Sequence, residues 1–309
     1  MRIRPVFICA VFVAAMVTAG CGESPARQAV TCQIQNAQRP VSGPQAKWNG
    51  PLGTNTTLSA LGGAAWRTGD AYPVTLLGNA SGACLVGGSI IGPWPATDPW
   101  TLWHYRSALR FSQPNFTVFG VDIENTGDGI KPKDGSGGYP DGFTIFANRV
   151  AEARDDCVEN DYVHSGTIAD NLLDGCYVMF SARPSSAGLD GTLNTMIITG
   201  NIGSLEPMTS VYQGASPGHG GFFKWSAQAP SVILTGNTLL ARQVPNHGNL
   251  EPPTRLLECS ANVIVWLGIG PFPADTAWRS RCPDTIITTN PAVYETARAA
   301  WLAMHHPGA

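Results

Sequence analysis

The acidic side chains of this chain are concentrated in one stretch. Only 22 of its 309 residues are Asp or Glu, yet Asp155, Asp156, Glu159 and Asp161 fall together behind Arg154, with His164 just beyond. Asp128, Lys131, Lys133 and Asp134 precede them. Carboxyls held close to one another raise each other's pKa, which suits general acid and base work. Three short motifs place further groups in the same register: Asp128-Gly129-Ile130, Asp155-Asp156-Cys157 and Asp174-Gly175-Cys176. The run His219 to Ser226 aligns with Asp174 to Ser181, sharing Gly, two aromatic positions and Ser. The expected catalytic set is therefore one column of Asp128, Asp155, Asp156, Asp174 and His219, with Glu159 and Lys131 beside it.

Such a column fits two chemistries on a polysaccharide. An inverting glycosidase needs an acid and a base about 6.5–9.5 Å apart, a gap that stacked strands can supply. A lyase would use the carboxylates to hold Ca²⁺ against a uronate, with Lys131 or Arg183 as base. Outside the lyase reading no cofactor is expected. Aromatic residues cluster in two long intervals, Trp94, Trp100, Trp103, His104 and Tyr105 in one, and Tyr212, Phe222, Phe223 and Trp225 in the other. Aromatic faces stack on sugar rings, so Trp100, Trp103, Tyr177 and Trp225, with Arg183 and Lys224, form the expected substrate-binding set. The competing readings are ordinary: Asp before Gly is turn chemistry, and long loops need hydrophobic clusters of their own. A non-catalytic glycan-binding or surface-binding protein would keep the aromatic surface without needing the carboxylates.

The elements that must position these residues are short and repeated. Thr144-Ile145-Phe146-Ala147-Asn148, Thr167-Ile168-Ala169-Asp170-Asn171, Ile197-Ile198-Thr199-Gly200-Asn201 and Ile233-Leu234-Thr235-Gly236-Asn237 share one pattern. Earlier copies end at Ser89 and Val121, and weaker ones at Asn262 and Asn290. Irregular spacing between such markers is what a solenoid shows when loops bulge from some of its turns. An apolar residue recurs two places on, at Ile91, Ile123, Val150, Leu173, Leu239 and Ile264, with Gly203 as the exception. Each copy reads as strand, tight turn, strand. The asparagines are expected to be structural, taking up the left-handed turn and hydrogen-bonding along their column. The fold class is all-β: a single-stranded right-handed parallel β-helix of about eight coils, followed by a C-terminal helix.

On this repeat, over roughly residues 74–290, the chain resembles the pectin lyase-like β-helix superfamily. The order Asn125-Thr126-Gly127-Asp128, Asp155-Asp156 and Gly218-His219-Gly220 is similar to the Asn-Thr-Asp, Asp-Asp and Gly-His-Gly elements of polygalacturonases. The resemblance implies hydrolysis of a polysaccharide by these carboxylates. The chain departs from that pattern in three ways: a glycine precedes Asp128, the repeat bearing Asp174 intervenes, and no Arg-x-Lys element follows.

Arg2 and Arg4 precede an apolar run from Val6 to Ala19, which is too short to span a bilayer and has the layout of a signal peptide. It ends Thr18-Ala19-Gly20-Cys21, similar to a lipobox with Cys21 as the lipidated residue. The expected order is a lipoprotein signal over 1–20, a tether over 21–45, the β-helix over 46–290 and a helix over 291–309. The expected location is extracytoplasmic, at the outer membrane, with membrane contact through the lipid alone. A net charge of −3 and pI near 6.0 give no basic surface for nucleic acid. Beyond Cys9 and Cys21, Cys32, Cys84, Cys157, Cys176, Cys259 and Cys282 remain, and six cysteines in an oxidising compartment permit fifteen pairings, none favoured by spacing.

Overall fold

A computed structural model describes residues 31–214 and 217–306. The expected signal segment and Cys21 lie outside them. Strand accounts for 41% of the described residues and helix for 12%, so the low-charge, Gly-rich composition has led to a mostly β protein. All 22 strands belong to one parallel sheet. Its pairing is compatible with a β-helix, because strands bond in parallel to strands about one repeat away in the chain.

The pairs resolve into three ladders. The first runs from Cys84–Val86 through Thr117–Phe119, Phe143–Phe146, Gly166–Ala169, Thr195–Thr199 and Ser231–Thr235 to Leu256–Ser260. The second contains Ser89–Ile91, Asp122–Thr126, Ile202–Leu205, Thr238–Ala241, Val263–Trp266 and Ile286–Thr288. The third contains Val74–Leu76, Leu109–Phe111, Ile130–Pro132 and Phe223–Trp225. Two long strands, Arg149–Glu159 and Leu172–Ala182, pass from the second ladder into the third. Ala37–Gln45 pairs with Thr56–Trp66 along its length, from Ala37↔Thr56 to Gln45↔Trp66, with a register shift at Ser42. This segment, expected to be a tether, is therefore the first strand of the sheet.

Alternation puts one row from each ladder inside. Val118, Ile145, Ile168, Ile198 and Leu234 stack in the first, all at most 1% exposed. Ile90, Ile123, Val150 and Leu173 stack in the second, so Ile90 and not Ile91 holds the inward place. Gly203 is the next member, and a Cβ there would meet Met179 Sδ at 2.9 Å, so the thioether fills the space. Leu109, Ile130, Val158, Phe180 and Phe223 stack in the third.

The asparagine column is structural, as expected. Asn148, Asn171, Asn201, Asn237 and Asn262 are buried, and each Nδ2 donates to the next Oδ1 at 2.9–3.0 Å. Each Oδ1 also accepts the backbone N–H of the preceding member. The left-handed residue is not the asparagine but the one before it: Ala147, Asp170, Gly200, Gly236 and Ala261. Asn290 leaves the column and caps a helix instead, accepting from Ala292 N at 3.1 Å.

Three helices decorate the sheet. Trp100–Trp103 (α1) sits in the first aromatic interval, Asp275–Arg281 (α2) follows the last long loop, and Pro291–His305 (α3) ends the described chain. Trp278 of α2 packs on Phe223 where the third ladder stops, with ring centroids 6.5 Å apart. α3 lies along the second ladder with Tyr294 and Trp301 buried, Tyr294 in a cluster with Leu240 and Val265, while Met304 is 72% exposed. The cysteines pair as Cys32–Cys84, Cys157–Cys176 and Cys259–Cys282. Among the described residues no helix is long and apolar enough to cross a membrane.

Candidate functional site

The inward row of the third ladder has an outward neighbour one residue on. Arg110 pairs with Lys131, and Ser181 pairs with Glu159 on one side and Lys224 on the other. The bonds continue into the side chains. Lys131 Nζ bonds the Glu159 carboxylate and lies 3.4 Å from Asp128 Oδ2. Lys224 Nζ bonds Asp156 Oδ2 at 2.8 Å and stands 3.7 Å from Asp161 Oδ2. Ser107 Oγ donates to Asp128 at 2.5 Å, and the backbone N–H of Asp156 donates to the same carboxylate at 3.3 Å. Asp161 accepts from Ser181 Oγ at 2.5 Å and from Arg183 N at 2.8 Å.

Five carboxylates, Asp128, Asp155, Asp156, Glu159 and Asp161, are thus buried side by side. Asp128, Asp156 and Glu159 each bring an oxygen within 4.8 Å of the other two. Burial raises the Glu159 carboxyl well above its ordinary value, and the neighbouring Asp128 adds to the rise. Burial also drives Asp156 well up, against the pull of Lys224. Asp128 goes the other way: Lys131 and the hydrogen bonds from Glu159 and Ser107 outweigh its burial and hold it below the usual range. Of the two, Glu159 is therefore the carboxyl that holds a proton more tightly and Asp128 the more acidic one.

A cleft of about 340 Å³ opens over this floor, lined by Glu159, Asp161, Lys131, Lys224, Arg183 and His104 among others. Lys133 and Tyr162 line it too, with the Lys133 ammonium 5.4 Å from the Tyr162 ring. Of the expected residues, Asp128, Asp155 and Asp156 lie in and under the floor, while Lys131, Glu159, Arg183 and Lys224 face the cleft.

The remaining expectations need correction. Asp174 lies in the second ladder opposite Ala151 and Ser204, where its carboxylate holds α3: Tyr294 OH donates at 3.1 Å and Arg298 Nε at 2.8 Å. His219 is not its counterpart, because Phe180 pairs with Phe223 and Ser181 with Lys224, two residues away from the sequence alignment. His219 is fully buried; its Nδ1 donates to Gly220 O at 2.7 Å, its Nε2 has no partner among the described residues, and burial lowers its pKa. Trp103 is fully buried beneath α1, between the Arg106 and Arg154 guanidinium groups and edge-on to Trp94. Tyr177 is buried with Val178, Met208 and Val211, and burial pushes its hydroxyl up to about 12. Trp225 is half-buried and donates to Pro230 O at 3.1 Å. None of these reaches the cleft. Trp100 stacks on His104 at 4.8 Å and meets Tyr212 edge-on at 4.9 Å.

His104 is the residue that sequence reasoning placed among aromatics and not among titratable groups. Its Nδ1 is 3.0 Å from Asp155 Oδ2. The available signal was its place in a long interval beside the acidic stretch.

One oxygen of each of Asp128, Asp156 and Glu159 is held by an ammonium group, Lys131 or Lys224, so a divalent ion at this trio would have to displace them. Asp128 and Glu159 also hold Lys131 firmly protonated despite its burial, which removes it as a base. No protein-family model, no curated protein and no solved structure matches the chain.

Proposed function

We propose that the chain is a right-handed parallel β-helix of the pectin lyase-like type, with about eight coils, and that it hydrolyses glycosidic bonds of a polysaccharide bound along the third ladder. The observation that carries this reading is the buried Glu159, its carboxyl pushed up by that burial, on the floor of a cleft whose walls bear Lys131, Lys133, Arg183 and Lys224. A carboxylic acid kept neutral by burial can protonate a leaving oxygen, and Lys133 and Arg183, the wall cations that make no ion pair with the floor among the described residues, favour an acidic glycan such as one containing uronate. Asp128 stays ionised beneath Glu159 and, once the proton is given away, Lys131 stabilises the new carboxylate.

Hydrolysis is favoured over elimination because the lyase reading needs Ca²⁺ at a trio already held by two ammonium groups, and because one of its two candidate bases, Lys131, is held protonated by Asp128 and Glu159, which leaves Arg183 alone. The proposed setting is outside the cytoplasm, with export through the N-terminal segment and lipid on Cys21; three disulfides accord with an oxidising compartment. A second reading, a glycan-binding protein without turnover, draws on the burial of Asp128, Asp155 and Asp156 below the surface.

The test is a panel of neutral and uronate-containing glycans, assayed for new reducing ends with wild type, Glu159→Gln and the double variant Asp155→Asn/Asp156→Asn. The proposal expects turnover of an acidic glycan that both variants lose by about 100-fold or more. Equal turnover by all three proteins removes the carboxylates from the chemistry. Saturable binding without product favours the second reading.

A further inference from the structure

The carboxylate trio is packed more tightly than a hydrolytic pair: one oxygen of each member lies within 4.8 Å of one oxygen of each other member, whereas the carboxyl groups of retaining and inverting glycosidases stand about 5–5.5 Å and about 6.5–9.5 Å apart. The group that activates water is therefore better placed elsewhere in the cleft. Asp161 has one oxygen engaged by Ser181 and Arg183 and the other near Lys224. The other candidate is His104.

His104 lines the same cleft as Glu159, with 45% of its side chain exposed. Nδ1 is taken by the buried Asp155 at 3.0 Å, and among the described residues Nε2 has no partner. His104 is also the only side chain among the described residues that hydrogen-bonds to the Asp155 carboxylate. The ring is fixed on the scaffold. Trp100 stacks on one side, Tyr105 meets it edge-on at 4.8 Å, and α1 is anchored by the buried Trp103 and by the Arg106–Asp98 ion pair at 2.5 Å. A carboxylate on one imidazole nitrogen fixes the tautomer, puts the lone pair on the other and stabilises the imidazolium that forms.

Resting on the hydrolase reading, we infer that His104 is the catalytic base of this cleft and Asp155 its positioning residue. Nε2 takes a proton from water as the water oxygen bonds the anomeric carbon. The glycosidic C–O bond breaks, and its electron pair stays with the leaving oxygen, which takes the Glu159 proton. His104 then returns its proton to solvent and Glu159 regains one. The charged and titratable groups facing His104 and α1 are Asp155, Asp128, Lys131 and Tyr105 around the ring, Arg154 and the Asp98-paired Arg106 against Trp103, and Tyr212 against Trp100. The Asp155 hydrogen bond, opposed by partial burial, raises the His104 pKa above its ordinary 6.5. Rate should therefore fall on the acid side as His104 gains its proton.

The experiment follows reducing-end release by the purified chain across pH on the acidic glycans of the panel. It compares wild type with His104→Gln, His104→Ala, Asp155→Asn, Asp161→Asn and Glu159→Gln, with circular dichroism of each. Expected is a loss in kcat of about 100-fold or more for His104→Gln with KM within about twofold, and no acid limb. Added imidazole should restore His104→Ala at least in part, and Asp155→Asn should move the acid limb to lower pH. A folded His104→Gln that keeps the wild-type rate and acid limb, while Glu159→Gln is inactive, overturns the assignment of His104 and leaves the hydrolase reading standing; loss confined to Asp161→Asn does the same. Wild type inert on every glycan overturns the hydrolase reading, and the base with it.

Discussion

At the scale of single residues, the floor of the cleft is a set of charges stable only together. Asp156 is 1% exposed and one of its oxygens has no partner among the described residues. Lys224 is the ammonium that compensates it, with Asp161 close by. Removing one member of a buried pair leaves an unpaired buried charge, which costs about 3–5 kcal/mol. Lys224→Met should therefore lower the urea midpoint sharply, and adding Asp156→Asn should restore part of the loss. If the single variant unfolds at the wild-type midpoint, the pair contributes no stability. The acid stretch was legible in sequence because so many carboxyls in so weakly charged a chain must be compensated. The compensating groups were harder to see. Lys224 reaches Asp156 from 68 residues away, a meeting that depends on strand register, and the sequence alignment placed that register two residues off.

At the scale of elements, the repeat was the readable part. A turn column and alternating apolar positions impose a periodicity of residue type, so parallel strands and the asparagine ladder followed from pattern. What pattern could not give was the facing of individual polar residues. Asp174 shares the Asp-Gly signature of the floor residues, yet it sits in another ladder and holds α3 through Tyr294 and Arg298. The expected tether became a strand because Ala37–Gln45 can pair with Thr56–Trp66, a partner that short-range reading does not reveal. The asparagines differ in worth by position. Asn201 Oδ1 accepts from Asn171 N and Nδ2, while its Nδ2 donates to Ile168 O and Asn237 Oδ1. Asn201→Ala strands these buried groups and should cost about 2–4 kcal/mol. Asn290→Ala loses only a helix cap and should cost about 1 kcal/mol. Equal losses in chemical denaturation would contradict the ladder as a cooperative element.

At the scale of the whole molecule, the buried floor couples stability to pH. Asp155, Asp156 and Glu159 all have raised carboxyl pKa values in the folded chain, and His104 is raised as well. Between the ordinary carboxylate range and those raised values the folded state binds more protons than the unfolded one, so stability falls as pH rises. The His104 contribution has the same sign: it is fully present below 6.5 and lost as pH rises through the raised value. Asp128 opposes them at low pH, where its stabilisation fades as pH falls through its depressed value, and His219, its pKa lowered by burial, opposes them below 6.5, where the unfolded chain takes up the proton first; the three raised carboxyls and His104 outnumber these two. Thermal melting should thus be higher near pH 5 than near pH 8, and Asp156→Asn should flatten the difference; a wild-type profile rising toward pH 8 would contradict the protonated floor. The central claim concerns bond cleavage by water. The most direct measurement is mass spectrometry of products formed from an acidic polysaccharide in water enriched in heavy oxygen. Hydrolysis predicts saturated fragments carrying one heavy oxygen at each new reducing end, absent with Glu159→Gln. Unsaturated, unlabelled ends, or no fragments at all, would contradict it.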